Sequence, residues 1–477
     1  MAVQLARRPP SAPTPGTPPP RRRPIATDDD AATDLSSFHF IHLSFEGPDR
    51  YASAGGLAVR VANLSRAVAQ RGAPVDLYFV GDPDLPGIEQ RDGVTLHRWS
   101  QAISTGARDG VYDDEERKIE DWCIWLPGHL AGVVAADRAA GLRTVVFAED
   151  WHTVWPLIAV HDELVRRGLR HHAVLAWTAN NRFGFHRIDF GRLREAATLL
   201  TISRAMKHLM WTFGVNPLVV PNGIPDDVLE PPATEGITSV RERFGHRTLM
   251  TKVGRWDPDK RWHMAIDAVT RLRGRGDDAV LVARGWNGSA AASAHYHDLR
   301  AHASHVGLQW TTFADHVTDG TALARGLGRV APTGAGVIEL TASIEGEPLQ
   351  ALYGAADAVL ANSGFEPFGL VGLEAMAASG VVIAGATGED YVTPFQNGFA
   401  LDTDDPGEIL ACLDWMRRGQ HREPALRQAA HETAHRYRWL GVTERLALAL
   451  GLDRQVASRA RRTPANAHLA AAGKKLR

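Results

Sequence analysis

Short apolar, β-branched runs alternate with helical periodicity along most of the chain. Phe38–Ser44 and Val75–Val80 read as strands. Between them Leu57, Val61, Leu64 and Val68 recur at spacings of four, three and four, one stripe of a helix that Gly72 can close. Strand, helix and strand in that order make a βαβ unit, which predicts a parallel sheet covered by helices. Similar runs predict strands at Thr144–Ala148, Leu175–Thr178, Leu199–Ile202 and Leu218–Val220. Pro225–His246, with Pro231-Pro232 and several charges, breaks the pattern. The alternation restarts with a strand at Leu249–Val253, a helix from about Arg261 to Leu272 and a strand at Ala279–Ala283. Strands at Val337–Leu340, Ala358–Leu360 and Val381–Ala384 follow. The expected architecture is α/β, with Rossmann-like domains at 37–225 and 247–430 and a linker at 226–246. Residues 424–452 are helical again, and a closing helix at 431–453 is expected to pack back across the boundary.

Length fits this division, since 477 residues suggest two or three domains. No stretch reaches the roughly 18 to 20 apolar residues of a membrane span. Cys123 and Cys412 lie far apart without metal-ligand neighbours, which argues against a disulfide framework and suits a reducing cytoplasm. The net charge of −2 hides an asymmetry. Residues 1–30 carry +2 and residues 454–477 carry +7, which leaves the body at −11. An acidic body gives no footprint for nucleic acid. Eight of the 27 prolines fall in the first 24 residues. Residues 1–36 therefore read as a disordered Pro/Arg-rich tail, and 454–477 as a basic one.

The densest chemistry is the run from Ser363 to Met376, which contains Gly-Phe-Glu366-Pro-Phe-Gly369 and Glu374. It follows a buried strand, and Pro367 suits the first turn of a helix. A strand–loop–helix of this kind offers the unpaired N–H groups of Phe368, Gly369 and Leu370 to an anion. Gly369 lets a phosphate approach the backbone. Glu366 and Glu374 can accept hydrogen bonds from sugar or ribose hydroxyls. On spacing alone, two glutamates eight apart point rather to an ordinary helix start with solvated side chains, and it is the Gly-Phe-Glu-Pro-Phe-Gly context that changes this.

The whole run resembles the Glu-x₇-Glu signature of retaining glycosyltransferases of family 4, two-domain enzymes of the GT-B fold. Lys252-Val-Gly-Arg255-Trp-Asp-Pro-Asp-Lys260 resembles that family's strand-end Gly-Arg…Lys element, and Ser53-Ala-Gly55-Gly56-Leu57 its N-terminal Gly-Gly loop. Thr201-Ile-Ser203, Val220-Pro-Asn222-Gly223-Ile224 and Tyr437-Arg-Trp439 resemble further family positions, in the right order over about residues 38–450. The resemblance implies two Rossmann-like domains facing each other across a cleft. It implies an enzyme that moves a sugar from a UDP-, GDP- or ADP-linked donor to an unidentified acceptor, with no metal or other cofactor. Arg255 and Lys260 would hold the donor diphosphate, Glu366 the sugar hydroxyls and Glu374 the ribose. Gly369 and Leu370 would offer N–H groups, and Gly55 and Gly56 would let their loop close over the donor.

Two positions depart from the family. The loop lysine of glycogen-synthase-like relatives is absent, since Ser53-Ala54 stands there. The family's strand-end Thr-Val-His-Asn appears as Thr178-Ala-Asn180-Asn181, and Asn180 cannot shuttle a proton. His152, in a run resembling the Asp-Trp-His of glycogen synthases, and His186 are candidate substitutes. The departures leave open a different GT-B reaction, such as epimerisation or phosphorolysis, or a non-catalytic nucleotide-sugar binder. Gly326-Leu-Gly-Arg-Val-Ala331 fits a dinucleotide fingerprint without a clear preceding strand and is set aside. Tryptophans at 122, 125, 151, 155, 177 and 211 are assigned to core packing by default.

Overall fold

The computed structural model describes residues 33–330 and 334–452. Two sheets organise them. The first holds β1 (Phe38–Leu43), β2 (Val75–Val80), β3 (Ile88–Arg91), β4 (Val94–Trp99), β5 (Arg143–Glu149), β6 (Ala173–Ala179), β7 (Thr198–Thr201) and β8 (Leu218–Val219). The second holds β9 (Thr248–Arg255), β10 (Ala279–Trp286), β11 (Gln309–Phe313), β12 (Ala335–Leu340), β13 (Ala358–Ala361), β14 (Val382–Ala384) and β15 (Phe399–Ala400). Each expected strand is present. β3, β4, β11 and β15 were not expected, although Asp92-Gly93 between β3 and β4 carries a hairpin signal: both residues have positive φ, 52° and 79°.

The strand orders are β3-β4-β2-β1-β5-β6-β7-β8 and β11-β12-β10-β9-β13-β14-β15, parallel except for β3 against β4. In each sheet the chain builds outward in one direction and then returns to the centre to build in the other. The reversal falls between β1 and β5 in the first sheet and between β9 and β13 in the second. Diverging connections leave a crevice at the carboxyl ends of those two strands, where open α/β sheets bind ligands.

Helix Gly56–Gln70 shows how the pattern acts. Val61, Leu64 and Val68 are buried together with β1 and β2, and Gly72 ends the segment at φ +87°. Residues 226–246, expected as a linker, instead contain helix Thr234–Phe244. Its Val240 and Phe244 are buried, and Gly320 lies so close to Gly236 and Ala351 that a Cβ on Gly320 would clash with both. The proline-led interruption is thus only eight residues of loop and short turn before the second unit begins. Beyond helix Glu423–His435, helix Trp439–Ala449 returns to the first unit. Its Trp439, Val442 and Leu446 join the core of β1 and β2, and Arg71 binds Glu444 at 2.7 Å. Residues 1–32 and 453–477, most of the two expected tails, lie outside the described residues. Among the described residues no helix is long and apolar enough to cross a membrane. Trp122, Trp151 and Trp177 are buried as expected, whereas Trp125, Trp155 and Trp211 are exposed.

Candidate active site

On the C-terminal side, two loops meet at the ends of β9 and β13. Lys260 lies in the short 3-10 turn Pro258–Lys260 and not in the following helix, which starts at Trp262 after Arg261 at φ +52°. Its aliphatic stem packs over Gly254, at the end of β9. The loop after β13 is tied to this turn by the Gly364 N–H, which donates to the Asp259 carbonyl at 2.8 Å. That link sets Lys260 Nζ 2.9 Å from Glu366 Oε1, with both side chains still partly open to solvent. Arg255 is more exposed, its Nε 2.8 Å from Asp257 Oδ2.

The next helix starts later than Pro367 suggested. It runs Leu370–Ala377 with Gly369 as its cap at φ +83°, a conformation that glycine adopts without strain. Pro367 disfavours helical backbone at Glu366, and the helix begins only after Gly369. The free N–H groups of the first turn are therefore those of Leu370 and the two residues after it. Phe368 is buried, its ring against Tyr391 and Tyr437. The Tyr391 hydroxyl donates to the Gly369 carbonyl at 2.8 Å and fixes the cap. Glu374 stands inside this helix. Burial, then the charge of Glu366, pushes its pKa up to about 7.

The N-terminal side is built from the ends of β1, β5 and β6. Gly55 caps helix Gly56–Gln70, and a Cβ on Gly55 or Gly56 would meet nothing within 4 Å. Behind the glycines, Glu46 accepts from the N–H groups of Gly55 at 2.9 Å and Ala58 at 3.2 Å. The Tyr112 hydroxyl donates to its other oxygen at 2.6 Å. Glu149, at the end of β5, is fully buried. One of its oxygens takes Arg60 Nε at 3.1 Å and His42 Nε2 at 3.3 Å, and the other accepts from Asn180 Nδ2 at 2.5 Å. Burial would raise the Glu149 pKa, but Arg60, with His42 and Asn180, holds it below the usual range. Arg60 also donates to Asn222 Oδ1 at 2.6 Å, which anchors the Pro-Asn-Gly run.

Asp150 has φ +61°, an uncommon conformation for a non-glycine residue, and accepts from the Asn180 N–H at 2.8 Å. Burial, together with the Glu149 charge, lifts it to about 7 despite that N–H. His152 is buried between Phe45, Trp151 and Tyr112, with Nε2 3.1 Å from Glu115 Oε2. Burial, then Arg187, pushes it down to about 3, so it is a neutral imidazole inside the wall. His186 is exposed in the turn Phe185–Arg187.

The two sides face each other. Arg182, two residues beyond Asn180, stacks over the ring of Phe365, next to Glu366, at 5.2 Å. A second contact has the Arg204 N–H, at the start of helix Arg204–Trp211, donating to both oxygens of Asp390 at 3.0 and 3.1 Å. Lys260, Glu366, Gly369, Leu370 and Glu374 thus gather on one side of the cleft, and Gly55, Gly56 and Asn180 on the other.

This arrangement has relatives. Residues 336–434 match the family model of glycosyl transferases group 1. The full chain is 26% identical to the D-inositol 3-phosphate glycosyltransferase of Geodermatophilus obscurus, over 82% of this chain and 83% of that protein. Among solved structures it is similar to sucrose-phosphate synthase from Thermosynechococcus elongatus. The TM-score is 0.59 at 17% identity, over 88% of this chain and all of that one. It is also similar to the catalytic domain of starch synthase IV from Arabidopsis thaliana, bound to ADP and acarbose. There the TM-score is 0.59 at 15% identity, over 87% and 99%. The two parallel-dominated sheets of this chain are the GT-B fold.

Sequence reasoning did not single out Glu46, Arg60, Tyr112, Glu149 or Lys252. Glu149-Asp150 at the end of a predicted strand was the available signal for one of them. Arg60 carried none, because an arginine on the predicted helix is ordinarily a solvated residue.

Proposed function

We propose that the chain transfers a glycosyl group from a nucleoside-diphosphate sugar to an acceptor hydroxyl, with retention at the anomeric carbon and without a metal ion. The observation that carries this is the Lys260–Glu366 pair at the ends of β9 and β13, facing the Asn180 loop across the cleft. The donor would occupy the C-terminal side. Arg255 and Lys260 would bind its diphosphate, Glu366 the sugar hydroxyls and Glu374 the ribose. ADP in the related starch synthase structure supports a nucleotide on this fold.

As the glycosyl–oxygen bond breaks, its electron pair passes to the diphosphate, and the two cations stabilise the growing charge. The acceptor oxygen forms the new bond on the same face, and its proton goes to the departing phosphate oxygen. Asn180 needs no basicity in that scheme. Its amide is oriented by Glu149, and its Oδ1, buried and unpartnered among the described residues, is the atom we assign to a substrate hydroxyl hydrogen. Cys123 and Cys412 are both free thiols, and we assign the reaction to a reducing cytoplasm.

The test is release of nucleoside diphosphate from a panel of UDP-, GDP- and ADP-sugars. Slow release from one donor, abolished in Lys260→Met and Glu366→Gln, is the expected result. Binding of every donor with no turnover, even with cell extract as acceptor source, would replace this reading with a non-catalytic binder.

A further inference from the structure

Beneath Lys260 and Glu366 lies a further charge. Lys252, one of only six lysines, stands in β9 three residues before Arg255 and is 2% exposed. Its Nζ donates to the Leu360 carbonyl at 3.2 Å and to Asn362 Oδ1 at 2.5 Å, and lies 5.2 Å from the centroid of the Trp262 ring. The Asn362 Nδ2 points at Met264 Sδ, 3.3 Å away, which leaves Oδ1 for the lysine. Two acceptors and an aromatic face fill the three donor directions of an ammonium. The site is therefore shaped for the charged form.

No carboxylate is in hydrogen-bond contact with it among the described residues. The charged groups that act on it are Lys260 and Arg261, from the turn after β9, and Glu366, from the loop after β13. A buried ammonium without a counter-ion is costly. Burial, then Lys260, pushes Lys252 down to about 7, with Arg261 adding to the shift and Glu366 opposing it. The structure supplies the hydrogen bonds of a lysinium and withholds its counter-charge.

We propose that Lys252 is a positioning residue of the donor site: it ties the ends of β9 and β13 together and gains its counter-charge when a nucleoside diphosphate binds above Lys260, so that binding takes up a proton. The inference rests on the donor reading above. Its sign follows from linkage. In the free protein Lys252 is partly neutral at and above pH 7, and a bound polyanion favours its charged form. Binding then takes up protons above neutrality and weakens as pH rises from about 7 to about 9. The nucleotide's terminal phosphate, with a pKa of about 6, is almost fully ionised there and contributes little.

The experiment is calorimetric titration with UDP, GDP and ADP at about pH 8, in two buffers of different ionisation enthalpy. The full chain is compared with Lys252→Met and Asn362→Asp. Wild type is expected to take up a large fraction of a proton. Lys252→Met is expected to lose that uptake, bind about ten-fold more weakly near pH 7 and show a flattened pH profile, the effect of one screened charge. Asn362→Asp keeps the lysine but supplies a permanent counter-ion, so uptake also disappears. It decides the matter if the methionine variant does not fold. Uptake equal to wild type in either folded variant overturns the inference while leaving the donor reading intact. If wild type binds none of the three nucleotides, the donor reading falls and takes this inference with it.

Discussion

The two sides of the cleft handle charge differently. On the C-terminal side, Lys260 and Glu366 pair across two loops with 17% and 26% of their side chains exposed. On the N-terminal side, Arg60 and Glu149 pair at 2% and 0% exposure, and His42 and Asn180 complete the set. Water reaches the first pair, so a ligand can compete for it. The second pair is bound up within the fold, where it orders the ends of β1, β5 and β6. Similar residue types thus stand open to a ligand on one side and serve as scaffold on the other, and solvent access makes the difference.

The largest effect expected from this contrast is on stability. Arg60→Met strands Glu149 in the interior without its cation and should cost about 3–5 kcal/mol of unfolding free energy in denaturant titration. Lys260→Met removes a partly exposed pair and should cost under about 1 kcal/mol by the same measurement. Equal losses in the two variants would break the distinction between scaffold and contact.

Turnover should reverse the order of the sides. Lys260→Met is expected to lower the rate of nucleoside-diphosphate release about 10²- to 10³-fold, the usual scale for removing one preorganised charge-stabilising group. Asn180→Ala, on the other side, should lower it by about ten-fold, the worth of one hydrogen bond of about 1.5 kcal/mol. A loss at Asn180 as great as at Lys260 would mean that the N-terminal side also holds a group essential to bond breaking.

The same contrast explains what could be read in advance. Lys260, Glu366, Gly369 and Glu374 sit in runs where Gly254 and Gly369 permit unusual backbone angles and Pro367 fixes its own, so local sequence carries the information. Arg60, Glu149 and Asn180 meet only because β5 lies between β1 and β6, and 89 and 31 residues separate the arginine and the asparagine from Glu149. Nothing local to Arg60 tells a buried arginine from a solvated one. The two parallel-dominated sheets followed from the periodicity. Helix Thr234–Phe244 did not, because Pro231-Pro232 just before it was read as marking the whole stretch as loop. The Asp92-Gly93 hairpin was legible and was missed.

A smaller effect tests whether internal pairing extends through the N-terminal unit. At the other end of β1, His39 lies 3.0 Å from Asp137 and 3.2 Å from Asp76. Burial opposes its charge, but the hydrogen bonds and charges of the two aspartates outweigh burial and raise it to about 9. A raised histidine stabilises the fold fully below its unfolded value of about 6.5, and the contribution is lost as pH climbs through about 9. Thermal unfolding should therefore show a loss of up to about 3 kcal/mol between about pH 6.5 and 9.5. His39→Gln should remove that pH dependence. A profile unchanged in the variant would confine the buried ionic scaffold to the cleft.

The smallest effect concerns the contact that joins the sides. Asp390 accepts from the Arg204 N–H at a helix start, an arrangement that ordinarily favours a carboxylate. Burial nevertheless raises the Asp390 pKa above the ordinary value, with Arg204 only partly offsetting it. Ionisation at this position is therefore a net cost to the folded state, and an uncharged acceptor should serve almost as well. Asp390→Asn is expected to change unfolding free energy by less than about 0.5 kcal/mol, because it keeps an oxygen facing the N–H while removing the buried charge. Asp390→Ala removes the acceptor as well and should cost about 1 kcal/mol. If Asn is as damaging as Ala, the charge itself holds the two sides together, through the Arg204 Nε that lies 3.4 Å from Asp390 Oδ1.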